Sequence, residues 1–344
     1  MRVNIHTQRG GVSPSGALLK REKIASRGQT AHVPVLLRET LDALDPGPGE
    51  TFADGTLGAG GHAREILKRI GRSGKLLVVD WDRDAVNRFA ATREGKSGNV
   101  KAVEGNFAEL PRILYEAHIG LLDGLLLDLG FSSDQLGSGR GFSFSTDEPL
   151  AMTYGRDEAP LSDELARMSE QEMCDAIRVS GERYARQIAR AIFRAERKRK
   201  IRTTGEFAAI IRGALPRSYE RGRIDPATRT FLALRIHVNR EIENLQRLLG
   251  ALPDMMREGG RIAIITFQSI EDKLVKDAFR ALAREGRAEL VTKKPIVPSR
   301  DESRANPRSR SAKLRVARML GASVAANLRI RSSAAASSRH NTSP

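Results

Sequence analysis

The sequence predicts an α/β fold in which a parallel sheet with helices on both faces is interrupted by a helical insertion. Three observations lead to this prediction. Strand and helix patterns alternate from about residue 32 to residue 131, a glycine-rich turn joins the first strand to the next helix, and a helical stretch separates the fourth strand from the next strong strand pattern. Alternation of strands and helices is typical of a parallel sheet that is covered on both faces.

Four strands and three helices make up the first part of this pattern. The run from Leu121 to Asp128 is almost entirely apolar and ends in an acid, which indicates a buried central strand. Shorter apolar stretches predict the other strands, and apolar residues at helical spacing predict the helices between them. The predicted strands are 51–54, 75–80, 100–103 and 123–129, and the predicted helices are 62–70, 83–93 and 107–117.

The chain changes character after the fourth strand. Residues 137–160 are rich in Gly, Ser, Asp and Pro, and residues 161–215 have the periodicity of amphipathic helices. A long helix is predicted around 228–250, and strands return at 260–267 and 290–294. We therefore expect one α/β domain that continues after a helical insertion.

The net charge of the chain is strongly positive. The 58 Lys and Arg residues exceed the 42 Asp and Glu residues by 16, and nine of these cations lie within residues 183–202, where Glu196 is the single acid. A field of this sign favours polyanions such as RNA or DNA, or an acidic membrane face, although an arginine-rich proteome would give the same balance. For residues 183–202 we favour a surface that faces a polyanion over an ordinary solvated helix face.

Cysteine content and hydropathy bear on the compartment. Cys174 is the single cysteine, so neither an intrachain disulfide nor a cysteine-based zinc site is expected, and a cytoplasmic location fits. The six histidines have no metal-ligand spacing, so no catalytic metal is expected. No apolar run approaches the roughly 20 residues that span a bilayer, so no membrane is expected either. Residues 1–30 are predicted to form a flexible basic extension, and the Ala-, Ser- and Arg-rich tail 321–344 is predicted to be disordered.

The most informative stretch is residues 53–62, which we call the glycine turn. It contains glycines at positions 55, 58, 60 and 61, and glycine tolerates positive φ and leaves no Cβ atom in the way of a bulky ligand. Asp80 ends the next predicted strand, about twenty residues further on, and an acid at that spacing typically accepts hydrogen bonds from ribose hydroxyls. The turn and the acid together predict a binding site for a nucleoside cofactor.

Three predicted strands end in an acid, namely Asp54, Asp80 and Asp128. Ligands of open α/β sheets bind beyond the carboxyl ends of the strands, so the three acids could serve ribose hydroxyls, an adenine amino group and an ammonium group. S-adenosylmethionine fits this set better than a dinucleotide. A nucleotide-dependent oxidoreductase is the alternative, but residues 58–61 lack the G-x-G-x-x-G spacing that places a pyrophosphate at a helix N-terminus. Each acid alone could instead be a helix N-cap.

Two further segments could contact RNA. Phe142 and Phe144 lie beside Arg140, and paired aromatic rings next to a cation can stack on the bases of single-stranded RNA. The alternative is a loop that is anchored by burying the two rings. Residues 306–315 contain four cations within eight positions, a pattern that suits contacts with phosphates.

Several of these segments together resemble one family, the bacterial 16S rRNA cytosine-N4 methyltransferases. The resemblance covers roughly residues 32–318, and its motifs occur in the family's order. They are Asp54–His62 (DGTLGAGGH), Leu127–Leu136 (LDLGFSSDQL), Arg140–Phe144 (RGFSF), Pro226–Arg229 (PATR), Ser269–Lys273 (SIEDK) and Asn306–Arg315.

The resemblance implies a class I methyltransferase (Rossmann-like) sheet, interrupted by a helical domain, that uses S-adenosylmethionine. The implied methyltransferase domain comprises residues 31–136 and 242–320, and the implied substrate-recognition domain comprises residues 137–241. The implied substrate is N4 of a cytosine in the decoding region of 16S rRNA, so the partner is the small ribosomal subunit. The catalytic residue stays unassigned. The implied cofactor contacts are Gly60, Gly61, His62, Asp80, Phe107, Asp128 and Gln135.

This chain departs from the family pattern at four places. The departures are Ala151 with the following Thr153 and Tyr154, and then Asp225, Leu232 and Gln268. They fall where nucleotide recognition or catalysis is expected, whereas the cofactor positions match the pattern. A cofactor-binding rRNA or ribosome-assembly protein with altered or lost methyl transfer is therefore the alternative function. Phe142 or Phe144 is our candidate for stacking on the target base.

Overall fold

The computed structural model describes residues 34–130, 137–155, 158–216, 219 and 225–321. The predicted extension 1–30, the tail from residue 322 and Gln135 lie outside these residues. Within them, strand pairing and burial account for where the glycine turn and the three acids lie.

Seven strands form one sheet. Their order across the sheet is β3-β2-β1-β4-β5-β7-β6, and all neighbouring pairs are parallel except those that involve β7. This order is that of class I methyltransferases, so the predicted fold class is confirmed. The strands are β1 (Thr51–Asp54), β2 (Lys75–Asp80), β3 (Val100–Glu104), β4 (Leu122–Asp128), β5 (Met256–Thr266), β6 (Ala288–Leu290) and β7 (Lys313–Met319).

Helices cover both faces of the sheet because its strands are apolar on both sides. In β2, Leu77 and Val79 pack into one hydrophobic cluster, while Leu76 and Val78 pack into another on the opposite face. The helices that flank the sheet in the first part of the chain are α1 (Leu37–Leu44), α2 (Gly61–Ile70), α3 (Arg83–Ala90) and α4 (Leu110–Glu116), which follows a 3₁₀ turn at Phe107–Glu109. The sheet therefore lies between two layers of helices.

A helical segment with its own hydrophobic cluster separates β4 from β5 along the chain. This cluster includes the fully buried Met173, Ile192 and Phe207 and shares no buried residue with the two clusters of the sheet. The division into domains at residues 137 and 241 nevertheless stays a proposal. The helices are α5 (Leu161–Arg167), α6 (Glu170–Arg178), α7 (Ala185–Lys198), α8 (Thr204–Ala214) and α9 (Thr228–Val238).

The helix predicted around 228–250 is two helices. α9 ends at Val238, and α10 runs from Glu241 to Met255. Arg240 has a φ of 49°, which a continuous right-handed helix does not allow. The side chain of Asn239 donates to the carbonyl of Met152 at 2.7 Å and so ties the break to the loop before α5.

Three further helices or turns complete the second part. α11 (Ser269–Arg284) follows β5, and α12 (Arg300–Ala305) leads through a 3₁₀ turn at Pro307–Ser311 into β7. The strand predicted at 290–294 is misplaced, because β6 spans Ala288–Leu290 and shares only Leu290 with the prediction.

The prediction of phosphate contacts for residues 306–315 is wrong for Arg315. This residue belongs to β7 and is 8% exposed, and its Nε lies 2.7 Å from Oδ1 of Asp272 in α11. Lys313, in the same strand, lies 3.3 Å from Oδ2 of Asp272. The buried guanidinium is therefore neutralised inside the protein, and the two family-like segments that contain these residues contact each other.

Candidate active site

The glycine turn leaves the carboxyl end of β1 and is held against the neighbouring strands. The backbone N–H of Gly55 donates to the carbonyl of Leu126 at 2.9 Å, and that of Leu57 donates to the carbonyl of Val79 at 3.0 Å. Gly58 and Gly60 have φ values of 52° and 74°, which favour glycine. These bonds fix the turn across the ends of β4 and β2.

The two halves of the glycine turn have different surroundings. A Cβ atom on Gly60 would stand 2.6 Å from Phe89, and one on Gly61 would stand 2.2 Å from Pro34. A Cβ atom on Gly58 would meet nothing within 4 Å. Gly60 and Gly61 are therefore required by close packing behind the turn, whereas Gly58 borders open space.

Asp80 holds the front of the turn from the end of β2. Its Oδ2 accepts a hydrogen bond from the backbone N–H of Gly58 at 2.7 Å, and its Oδ1 accepts one from Asp82 at 2.8 Å. The residue is 8% exposed, and burial raises the pKa of its carboxyl. The two hydrogen bonds fix the orientation of the Asp80 carboxylate relative to the space beside it.

That space is a cavity of about 760 Å³, counted with the solvent at its mouth, beyond the carboxyl ends of β1 to β5. β1 and β4 are the strands at which the chain order reverses, where ligands of open α/β sheets bind. The cavity is lined by Gly55, Thr56, Gly58, Asp80, Trp81, Gly105, Phe107, Asp128, Leu129, Gly130, Tyr154, Glu241, Asn244, Leu245 and Glu271.

Three of the seven expected cofactor residues line this cavity, namely Asp80, Phe107 and Asp128. Gly60, Gly61 and His62 belong to the turn beside it but are not among the lining residues, and Gln135 lies outside the described residues. Direct contact of each with a cofactor stays a prediction.

His62 connects the start of α2 with the end of β4. The ring is 6% exposed, and Nε2 lies 3.1 Å from the carbonyl oxygen of Val35. A carbonyl can only accept, so Nε2 carries a hydrogen and Nδ1 is the atom that faces Asp128, at 3.9 Å from Oδ2. The other oxygen of Asp128 accepts from the backbone N–H of Gly130 at 3.1 Å. His62 thus lies behind Asp128 rather than in the cavity wall.

Asp54 is the most deeply buried of the three strand-end acids. It is 1% exposed, and burial raises the pKa of its carboxyl from the ordinary 3.8 to about 7, with further contributions from the charges of Asp128 and Asp80. The backbone N–H of Thr56 donates to its Oδ1 at 3.1 Å and opposes this rise. The carboxylate form of Asp54 is therefore disfavoured in the folded protein.

We predict that Asp54→Asn reduces the loss of stability with rising pH. Because the pKa of Asp54 is raised on folding, its favourable contribution is complete below pH 3.8 and is lost as the pH rises toward 7. The full loss corresponds to about 4 kcal/mol at 1.36 kcal/mol per pKa unit. Between pH 4 and pH 8, the free energy of unfolding should therefore fall less in the variant than in the native protein. The difference, measured with urea at both pH values, should be up to this amount.

Comparing the two pH values cancels any constant cost of burying the amide. Asp301→Asn is the matched control, since Asp301 is exposed. An unfolding free energy that falls with pH in the same way for Asp54→Asn and the native protein would contradict the prediction.

The wall across the cavity from the glycine turn is polar and was missed by the sequence analysis. The hydroxyl of Tyr154 donates to Oε1 of Glu241 at 3.1 Å, and Arg235 binds both oxygens of Glu241 at 2.8 and 2.9 Å. The backbone N–H groups of Phe267 and Gln268 donate to Oε2 of Glu271.

Burial raises the pKa of Glu271 to about 7. The sequence patterns include Tyr154 only as part of a departure from the family pattern, and they do not indicate Glu241. The break at Arg240, which starts α10 at Glu241, is the feature that brings this acid to the cavity.

The loop before α5 joins the helical segment to the end of β2. Arg140 lies 3.1 Å from Oδ2 of Asp82 and donates to the carbonyl of Tyr154 at 2.7 Å. The ring of Tyr154 lies 6.0 Å from that of Trp81 and stacks on Phe142 at 5.4 Å. This loop therefore forms one side of the cavity.

The two aromatic residues proposed to stack on the target base are both half-buried. Phe144 lies 4.6 Å from the ring of Phe231, and both Phe142 and Phe144 pack against the cluster of the helical segment. These contacts favour the interpretation that the rings anchor the loop. Stacking on a base stays a prediction.

Three of the four departures include a residue with local contacts, among them Tyr154 in the cavity wall. Asp225 accepts from the backbone N–H of Ala227 at 2.9 Å and is paired with Arg212 at 2.8 Å, so it fixes the start of α9. The backbone of Gln268 is bound by Glu271 at the start of α11. Nothing in the structure explains Ala151 or Leu232, which are half-buried.

The described part of the chain contains neither a candidate metal site nor a candidate membrane span. No group of three or more His, Cys, Asp or Glu side chains there could hold a metal ion. The helices between residues 34 and 321, as far as they are described, are all too short or too polar to cross a bilayer.

Comparison with known proteins gives consistent matches over most of the chain. The model of the MraW methylase family matches residues 29–320. Ribosomal RNA small subunit methyltransferase H of Syntrophus aciditrophicus is 43% identical over 305 residues, which cover 83% of this chain and 96% of that protein. The protein of the same name from Granulibacter bethesdensis is 42% identical and is covered to 90%. Among solved structures, an rRNA methylase from Streptococcus thermophilus superposes with a TM-score of 0.40 at 9% identity, covering 85% of this chain and 100% of that one.

Proposed function

The chain belongs to the MraW methylase family, and on that premise we propose that it transfers a methyl group from S-adenosylmethionine to N4 of a cytosine in the decoding region of 16S rRNA. One observation carries the proposal. The cavity at the reversal of strand order is lined by an acid at the end of β2, an aromatic ring after β3 and an acid at the end of β4. The relatives that match over most of their length are named as small-subunit rRNA methyltransferases.

The residues present fit S-adenosylmethionine. Asp80 would accept hydrogen bonds from the ribose hydroxyls, and Phe107 would pack against the adenine. The open space in front of Gly58 leaves room for the ligand to approach the backbone of the glycine turn. When bound, S-adenosylmethionine supplies a methyl group that its sulfonium already activates, so the protein's task is mainly to bind and orient the reactants.

Asp128 is our candidate for the group that handles the proton of the target amine. The exocyclic amine of cytosine is a weak nucleophile because its lone pair is delocalised into the ring. A carboxylate that accepts one of its hydrogens orients the lone pair and can later receive the proton. Oδ1 of Asp128 is held by Gly130, and Oδ2 lies on the side of His62. A backbone carbonyl near Leu129 is the alternative acceptor.

Incubation of the full chain with labelled S-adenosylmethionine and undermethylated small ribosomal subunits tests the proposal. We expect N4-methylcytidine at one decoding-region cytosine, detected by nucleoside mass spectrometry, with fully methylated subunits as the control substrate. If the small ribosomal subunit is the substrate, the protein acts in the cytoplasm. Binding of the cofactor without methylcytidine on either substrate would instead support the rRNA-binding or assembly role, which the names of the relatives do not favour.

A further inference from the structure

Four arginines form a continuous exposed stripe along α7, which we call the arginine face. They recur at spacings of four, four and three residues, so they lie on one side of the helix. All four are exposed. The arginine face consists of Arg186, Arg190, Arg194 and Arg197.

Packing fixes the direction in which this face points. Ile188, Ala189 and Ile192, on the other side of α7, are fully buried in the cluster of the helical segment. The helix cannot rotate without exposing these side chains, so the arginines are held toward solvent. The stripe from Arg186 to Arg197 extends about 16 Å at 1.5 Å per residue.

Few acids neutralise this stripe within the protein. In the part of the chain that the structure describes, one ion pair involves these four side chains: Nε of Arg190 lies 3.2 Å from Oε1 of Glu170, and the Arg190 side chain is 52% exposed. An exposed pair of this kind adds little stability. Glu196, the single acid of α7, accepts instead from the backbone N–H of Ile201 at 2.8 Å. The guanidinium of Arg197 lies 5.5 Å over the ring of Phe193.

The two cations just after α7 both form ion pairs within the protein. Arg199 pairs with Glu206, and Lys200 lies 2.5 Å from Asp163. Compared with these two cations, the arginines of the arginine face have fewer ion pairs within the protein and are more available to bind an anionic partner.

The segment that follows the arginine face is hydrogen-bonded to the loop that leads into the cavity wall. The carbonyl of Arg202, five residues beyond Arg197, accepts a hydrogen bond from the backbone N–H of Leu150 at 2.8 Å. Tyr154, which lines the cavity, follows Leu150 by four residues, a span of at most about 14 Å in extended chain. The arginine face is therefore linked to the cavity wall through this hydrogen bond and two short stretches of chain.

We propose that the arginine face binds the phosphate backbone of 16S rRNA next to the nucleotide that enters the cavity. The inference rests on the proposed function and adds the surface that holds the substrate. Neighbouring side chains on one helix face lie about 5–6 Å apart, so the four guanidinium groups can contact successive phosphates of one strand. Contacts of this kind give affinity and register without reading the sequence.

The test is the salt dependence of binding to full-length 16S rRNA. The variant R186Q/R190Q/R194Q/R197Q removes four charges, while glutamine keeps a polar, helix-favouring side chain. Each lost phosphate contact lowers the slope of log K against log salt by about 0.7 for single-stranded RNA, so we expect a decrease of about 2–3. The two half variants, R186Q/R190Q and R194Q/R197Q, should each give about half of this decrease. Binding of S-adenosylmethionine should be unchanged.

A second quadruple variant separates local contact from net charge. R280Q/R284Q/R287Q/R318Q removes the same charge from exposed positions on α11, the turn after it and β7. It should retain most of the native slope. An unchanged slope in the α7 variant, or equal losses in both variants, would overturn the inference. Because the readout is RNA binding, it does not depend on methyl transfer. Failure of the proposed function would appear separately, as native protein that forms no methylcytidine.

Discussion

Replacing Asp80 by Asn will weaken the binding of S-adenosylmethionine by about 100-fold, which corresponds to about 2.7 kcal/mol. The carboxylate has two tasks that the amide cannot both perform. It accepts hydrogen bonds from Gly58 and Asp82 through its two oxygens, and we expect it to accept ribose hydroxyls as well. Asparagine presents an N–H₂ group to one of the two backbone donors, so that part of the turn loses its acceptor.

The affinity is measured by calorimetry, and the melting temperature without ligand reports on the fold. Asp277→Asn is the matched control, because Asp277 is a surface acid of α11 that is paired with Lys273. It should leave the affinity within about twofold, since surface pairs contribute little. An Asp80→Asn protein that melts near the native temperature and binds the ligand equally well would remove Asp80 from the cofactor site.

Alanine at Gly58 and at Gly60 should have opposite consequences. Both residues have positive φ, which costs a residue with a Cβ atom about 1–2 kcal/mol. At Gly60 the new methyl group also meets the buried ring of Phe89 at 2.6 Å, so the free energy of unfolding should fall by a further 1–3 kcal/mol or so. At Gly58 the new methyl group has no neighbouring atom within 4 Å, but Gly58 lines the cavity in which we expect the ligand. Gly58→Ala should therefore lose only the roughly 1–2 kcal/mol of backbone strain and at least about tenfold in affinity for S-adenosylmethionine.

Gly181→Ala controls for backbone strain alone. Gly181 has a φ of 76° and open space around a Cβ atom, but it lies in the turn after α6 and not in the cavity. It should match Gly58→Ala in urea unfolding and match the native protein in ligand affinity. If Gly58→Ala bound the ligand as tightly as Gly181→Ala does, the ligand would not approach the turn at Gly58.

Local sequence signals were sufficient for the elements that build the cofactor side of the cavity. β1 and β2 occur at the predicted residues, because each is a buried apolar run that a glycine-containing turn or an acid delimits. The three strand-end acids lie on β1, β2 and β4, which are neighbours in the sheet. The resemblance to the family added Phe107, which lines the cavity and which no local pattern had indicated.

The opposite wall depends on contacts between distant segments, which no local pattern reports. Glu241 reaches the cavity because Arg240 adopts a left-handed conformation, although the apolar periodicity continues across the break. Arg315 resembled a phosphate ligand because its partner, Asp272, lies 43 residues earlier in the chain. Charge spacing alone does not distinguish a buried ion pair from an exposed cation.

The position of β7 determines when the protein can finish folding during synthesis. β7 is the last strand of the sheet in the chain, yet it lies between β5 and β6 and pairs with both. Until it leaves the ribosome, β5 has an unpaired edge and β6 has no neighbour, and such edges invite wrong pairing and aggregation. β5 must also find β4 across the whole helical segment, since Arg261 pairs with Gly124. The sheet is therefore completed only when its last strand, the seven residues Lys313–Met319, has been synthesised.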